Sequence, residues 1–358
     1  MKYNKKIMIC SIFIIISFTL LIVISSKNTK TFNYNGSIIA LKVDGSDATS
    51  FPTKGKYNVN VNCENGKGVW NPKTWKLEIT KIKGTVTCDI SFNSNASNLS
   101  DVVDTKGAST THGIRYQGTD PDNYVWYNDE LWRIIGNVPV CLTSGCSSTQ
   151  NRVKLIRNDS IGAIKYGSNS TWMGSNVQNL LNSCYLGKKL SCDSYCYSSI
   201  TSAVGLCNYS SNGIDESDYY GNMIEDVYYN VGVPSSGSYV NAVDQYTKEI
   251  ASYATTTSKI GLMYASDWGY AIEGFSGVLG DSEDLVNYMN KNWLFSNGNE
   301  WTMSAYNSRD TLLVHYFGYL LSFDASDGSA ARPVLYLKSN VYVTGGTGSK
   351  TNPYRLGI

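Results

Sequence analysis

Nine cysteines punctuate this chain of 358 residues, and their spacing restricts what it can fold into more than any other feature. Cys10 stands alone inside an apolar N-terminal run. The other eight are Cys63, Cys88, Cys141, Cys146, Cys184, Cys192, Cys196 and Cys207, an even set of the kind a disulfide framework needs. Cys63 with Cys88 would staple a small N-terminal domain, and Cys141 with Cys146 would close a short loop. The remaining four fall in one insertion, where three pairings are open. A zinc site at Cys192 and Cys196 is the competing reading, and it ranks lower because the two-residue spacing and a nearby histidine are both missing. Disulfides imply an oxidising compartment, so the chain is expected outside the cytoplasm.

The apolar run from Ile7 to Ile24 carries no charge, is long enough for a tilted membrane helix and exceeds the usual core of a signal peptide. Lys2, Lys5 and Lys6 outweigh Lys27 and Lys30, which places the N-terminus inside. This predicts a cytoplasmic stretch over 1–6, a signal anchor over 7–25 and a single-pass protein with its bulk extracellular. Val23-Ile24-Ser25 would just allow cleavage, which gives a secreted protein as the alternative.

Lysine plus arginine nearly equals aspartate plus glutamate, 30 against 29, so no basic stripe points to nucleic acid. Tyrosine, serine, asparagine and glycine are abundant, as in many binding surfaces, although a turn-rich β fold would draw on the same residues. Alternating segments such as YNVNVNC, WKLEITKI and GTVTCDISF predict a small β-sandwich-like domain over 31–93. The polar stretch 94–111 reads as a linker. Beyond it, YVWY and LWRII flank Asn128-Asp129 as a hairpin, and SNVQNLLNSCYLG, NAVDQYTKEIASYA and SEDLVNYMNKNWLF read as short helices. An insertion near 188–237 interrupts this second domain, which spans 112–358. The fold class expected is α+β, with mixed short helices and antiparallel strands after the membrane helix and the β domain.

A series of segments in order, NYVWYNDELWRIIG, VKLIRNDSIG, IGLMYASDWGYA, WTMSAY and RPVLYLKSNVYVTGGTGSKTNPYRL, resembles bacterial surface proteins of unassigned function whose C-terminal domain is C-type-lectin-like. The resemblance runs from Gly113 to Gly357. Related folds include formylglycine-generating enzymes and variable receptors diversified by retroelements. In those receptors the ligand surface lies between a Trp motif and a closing Arg-Pro strand, which here implies Trp301 to Pro333. The calcium-lectin tripeptides Glu-Pro-Asn and Gln-Pro-Asp are absent, and no cysteine follows Cys207, so neither calcium-dependent sugar binding nor formylglycine chemistry is supported.

Motifs for catalysis are also missing: there is no Gly-x-Ser-x-Gly elbow, His-Glu-x-x-His or Walker loop. His112 reads as a solvated loop residue. If LLVHYF alternates as a strand, Leu313, His315 and Phe317 share one face and Leu312, Val314 and Tyr316 the other, and one face must look outward. Asp215, Glu216, Asp218, Glu225 and Asp226 read as a solvated acidic insertion, with a glycosidase pair or a calcium clamp as alternatives; no cofactor is expected. Trp126, Trp132, Trp268 and Trp301 are assigned to the core. Arg332 would pair with Asp324 or Asp327. The candidate ligand-binding residues are Tyr306, Asn307, Arg309, Asp310, His315, Tyr316, Tyr319 and Asp324, a mixture of aromatic, guanidinium and short polar groups suited to an extracellular protein or glycan. The expected function is a membrane-anchored binding or adhesion protein. A cell-envelope glycoside hydrolase and a structural subunit of a surface assembly are the alternatives.

Overall fold

The computed structural model describes residues 38–190, 192, 208–230, 238–250, 255–280 and 282–358. The chain divides into two compact units, one made of Met1–Phe51, Asn60–Asn71 and Trp75–Ser91, the other of Pro52–Val59, Pro72–Thr74 and Phe92–Ile358.

The smaller unit is all β among its described residues. A four-stranded sheet has the order Ser46–Asp47, Ile38–Val43, Thr87–Asn93, Asn58–Glu64, and a separate hairpin pairs Lys67–Asn71 with Lys76–Thr80. Strand Thr87–Asn93 alternates as a half-buried strand should, with Cys88, Ile90 and Phe92 inward and Asp89 exposed. Cys63 and Cys88 are disulfide-bonded across neighbouring strands, and Trp70 packs edge-on against Phe51 and Trp75. Trp75 sits at φ 56°, at the tight turn of the hairpin.

The larger unit is built on an 11-stranded sheet. Its spine runs in the order Ile260–Gly261, Val334–Tyr336, Thr149–Arg157, Glu130–Cys141, Tyr124–Tyr127, Tyr354–Gly357, Tyr342–Gly345. Asn128 and Asp129 both take positive φ, 53° and 60°, and close the two-residue hairpin that pairs Tyr127 with Glu130. A five-stranded sheet follows the order Ala163–Lys165, Gly328–Ala330, Glu300–Ala305, Asp310–Val314, Leu320–Asp324. Short helices Asn176–Leu180, Ala242–Ile250, Ala265–Tyr270 and Ser282–Leu285 lie between the strands. Trp132, Trp268 and Trp301 are fully buried in one hydrophobic core, and Trp126 is half-buried beside Arg355. The disulfides here are Cys141–Cys146 and Cys184–Cys192; Cys196 and Cys207 lie outside the described residues.

Several expectations are corrected. No helix of the described residues is long and apolar enough to cross a membrane. The longest of them, Ala242–Ile250, has nine residues and rises about 14 Å, against about 30 Å of bilayer core. The apolar run 7–25 itself lies outside the described residues. The single-pass anchor, the cell-membrane location, the membrane as a partner and the membrane-anchored adhesin are withdrawn together. The strands are not purely antiparallel: Tyr354–Gly357 runs parallel to Tyr124–Tyr127, and Glu300–Ala305 parallel to Gly328–Ala330.

The segment 94–111 is no linker. Leu99–Lys106 forms a helix that buries Leu99 and Val103, four residues apart on one face, and Ala108–Thr110 joins the large sheet. Alternation also fails at Asp310–Val314, a strand inside its sheet with Thr311, Leu312, Leu313 and Val314 all buried. His315 falls in the turn that follows, where Gly318 takes φ 79°, so it shares no strand face with Leu313. Leu313→Ala should therefore cost about 2–5 kcal/mol in a denaturant titration, as a buried leucine does, whereas a surface strand position would lose less than about 0.5 kcal/mol.

Candidate functional site

Strand Asp310–Val314 separates the eight candidate residues into two groups. At its start, the turn after Glu300–Ala305 brings five together. The Asn307 side-chain oxygen accepts from the Arg309 and Asp310 N–H groups, each at 2.7 Å, and its amide donates to Asp310 Oδ2 at 2.7 Å. Arg309 Nε donates to Asp324 Oδ2 at 2.8 Å, and Tyr306 stacks on Tyr239 with centroids 5.2 Å apart. At the far end, about 17 Å away by strand rise, lie His315, Tyr316 and Tyr319. The His315 ring stands 4.0 Å from that of Tyr316 and 4.7 Å from that of Tyr319, and Phe317, half-exposed, joins them. Between the two groups the segment is core, so Trp301–Pro333 is not a continuous surface.

The first group borders an open polar cleft of ≈ 540 Å³, lined by Lys165, Gly167, Ser168, Asn169, Thr171, Met173, Gly174, Ser175, Asn176 and Asn179. Gly167 N–H donates to Ala325 O at 3.0 Å, and the Ser170 hydroxyl donates to Asn307 O, which ties the cleft wall to the 306–309 turn. Its loop is held from within. Trp172 is buried beside Tyr166, Asn169 Oδ1 accepts from Thr171 N–H at 2.9 Å, and Ser175 caps helix Asn176–Leu180 by accepting from Gln178 N–H at 3.1 Å. The sequence reading passed over this loop. Its signal was the run YGSNSTWMGSN, in which an aromatic anchor sits among small polar residues.

A second constellation is buried. Asp267, in the first turn of helix Ala265–Tyr270, takes Lys154 Nζ on Oδ2 at 2.5 Å and Arg115 on Oδ1, with Tyr264 N–H on Oδ2 at 2.8 Å. Glu249 accepts from the Ser304 hydroxyl at 2.5 Å, the Gln245 amide at 3.0 Å, and the Ser266 hydroxyl. Burial pushes the Asp267 carboxyl up, but Lys154 and Arg115 more than offset it and leave it below the usual range. Burial raises Glu249 despite these donors and the Ser266 N–H at 3.2 Å, and burial lowers Lys154. Lys154 also lies 4.5 Å from the centroid of the Tyr264 ring.

His112 is a turn residue of intermediate exposure whose ring is nonetheless engaged. It stacks on Tyr246 at 3.9 Å, shares a hydrogen bond with the Tyr270 hydroxyl at 2.6 Å, and is pushed below its usual pKa by burial and by Arg115. Arg332, in the connection between Gly328–Ala330 and Val334–Tyr336, pairs with Glu300 at 2.7 Å inside the core and donates to Leu294 O at 2.6 Å, not to Asp324 or Asp327.

The five acids of the insertion that lie among the described residues each have a partner. Asp218 meets Lys73, Glu225 meets Arg152, and Glu216 and Asp226 share Lys259, while Asp215 accepts from Ser217. Among the described residues no group of three or more His, Cys, Asp or Glu side chains is placed to hold a metal. Comparison with family models, curated proteins and solved structures finds no match to this chain.

Asp324 offers a pH test. The Ser326 N–H, the Ser326 hydroxyl and then Arg309 hold its carboxyl down to about 2, from a usual 3.8. A depressed carboxylate contributes stability above its unfolded pKa and loses it as pH falls through the folded value, here between about pH 4 and pH 2. In an NMR titration Arg309→Ala should raise the Asp324 pKa only part of the way to 3.8, since the Ser326 N–H remains.

Proposed function

We propose that the larger unit is a binding module that takes a small, neutral, hydroxyl-rich ligand in the cleft lined by Lys165–Asn179. The observation that supports this is the lining itself: hydroxyls, side-chain amides and glycine backbone on a braced loop, with Lys165 as the lone charge among the lining residues. Asn169 spends its carbonyl oxygen on Thr171 N–H and keeps its NH2 group, whereas Asn179 spends its NH2 on Gly174 O and keeps its carbonyl oxygen. A donor and an acceptor therefore remain on opposite partners of one cleft, beside the Ser168 and Thr171 hydroxyls. A ligand hydroxyl both donates and accepts, so it answers such a mixed set better than a carboxylate, which only accepts. The volume falls within the range of small-molecule sites, and the polarity of the walls disfavours an apolar guest. The turn carrying Asn307 and Arg309 forms the rim in this reading. The binding site thus moves away from the 301–333 segment, and neither a membrane nor adhesion is part of the assignment.

Calorimetry with a panel of neutral monosaccharides, disaccharides and polyols tests it. At least one should bind, and Thr171→Ala and Ser168→Ala should each weaken it about tenfold, roughly 1.4 kcal/mol, without lowering the melting temperature. Binding to none of the panel, or binding that all the variants retain, sinks the assignment.

A further inference from the structure

We propose that Lys154 and Asp267 become joined by an amide bond between Lys154 Nζ and Asp267 Cγ, a covalent tie between a central strand and a helix 113 residues further along the chain. The geometry is that of a pair poised to condense. The two side chains are fully buried, Nζ lies 2.5 Å from Oδ2, and both belong to regular elements, strand Thr149–Arg157 and helix Ala265–Tyr270, which hold them in register.

The step balances within the site. Lys154 passes one proton to Asp267 Oδ2, leaving a neutral amine beside a neutral acid. The amine lone pair attacks Cγ, and the negative charge of the tetrahedral adduct collects on Oδ1, which the Arg115 guanidinium already holds. A second proton moves from nitrogen to Oδ2, the Cγ–Oδ2 bond breaks, and one water leaves. Nothing is oxidised or reduced, and no other reactant is needed.

Arg115 favours the ionised Asp267 and so opposes the first proton transfer, while the rest of the surroundings favour condensation. Burial opposes the charged form of Lys154 and so favours the nucleophilic amine. Aromatic rings from Tyr264 and Tyr336 flank Nζ, at 4.5 Å and 5.3 Å, and shield the product from hydrolysis. The condensation removes one positive and one negative charge together, so Arg115 and Glu249, both buried, remain as a balanced remainder. A neutral amide is also less costly to bury than an ion pair.

The test is the mass of the folded, purified chain after full reduction, alkylation and denaturation, followed by a protease map. We expect the wild type to be lighter than its sequence by one water and to yield one branched peptide containing both Lys154 and Asp267. Lys154→Arg and Asp267→Ala should recover the full sequence mass. A wild-type chain at full mass, with Lys154 and Asp267 recovered in separate linear peptides, overturns the proposal. That result stands whether or not the variants fold, and it is independent of ligand binding in the cleft.

Discussion

Asp267 is where three parts of the larger unit meet: its carboxylate receives Arg115 from strand Gly113–Arg115 and Lys154 from strand Thr149–Arg157, while its backbone lies in the first turn of helix Ala265–Tyr270. Each charge on its own would be prohibitive in this interior. Taking either cation away leaves the carboxylate short of a partner in a low-dielectric site, a loss of about 3–5 kcal/mol for a buried pair. The apolar core around it would hold its shape with many substitutions, but the helix is placed against the sheet by direction as well as by contact, and that direction comes from Asp267. Glu249 repeats the arrangement one helix away, through Ser266 and Ser304.

How much of this was legible depended on range along the chain. Asn128-Asp129 announces its hairpin because two consecutive left-handed residues are a local demand. The helices near Asn176, Ala242 and Ser282 follow from periodicity and caps, again within a turn or two. Cys63–Cys88 and Cys141–Cys146 are short loops in sequence. By contrast, Arg332 finds Glu300 at a separation of 32 residues and Lys154 finds Asp267 at 113, and no local pattern encodes such partners. The helix Leu99–Lys106 was hidden because two apolar residues, Leu99 and Val103, sufficed to bury it, and the surrounding serines and asparagines read as linker.

The candidate site shows the same limit. Tyr306, Asn307, Arg309 and Asp310 are near neighbours in the chain, yet the cleft beside them belongs to a segment about 140 positions earlier. Tyrosine and arginine drew attention as recognition residues. The structure also gathers asparagine, serine and threonine into a concave surface, where each is unremarkable alone.

The strand Tyr354–Gly357 lies between Tyr124–Tyr127 and Tyr342–Gly345, inside the large sheet and not at its rim. A chain emerging from the ribosome can form the hairpin at Asn128-Asp129 early, but the sheet keeps an open slot until residue 357 is out. Until then Tyr124–Tyr127 presents one unpaired edge, a template for the wrong strand. Closure of this sheet therefore waits on the last of its strands in chain order, and until that strand arrives the exposed edge is the place where mispairing would begin.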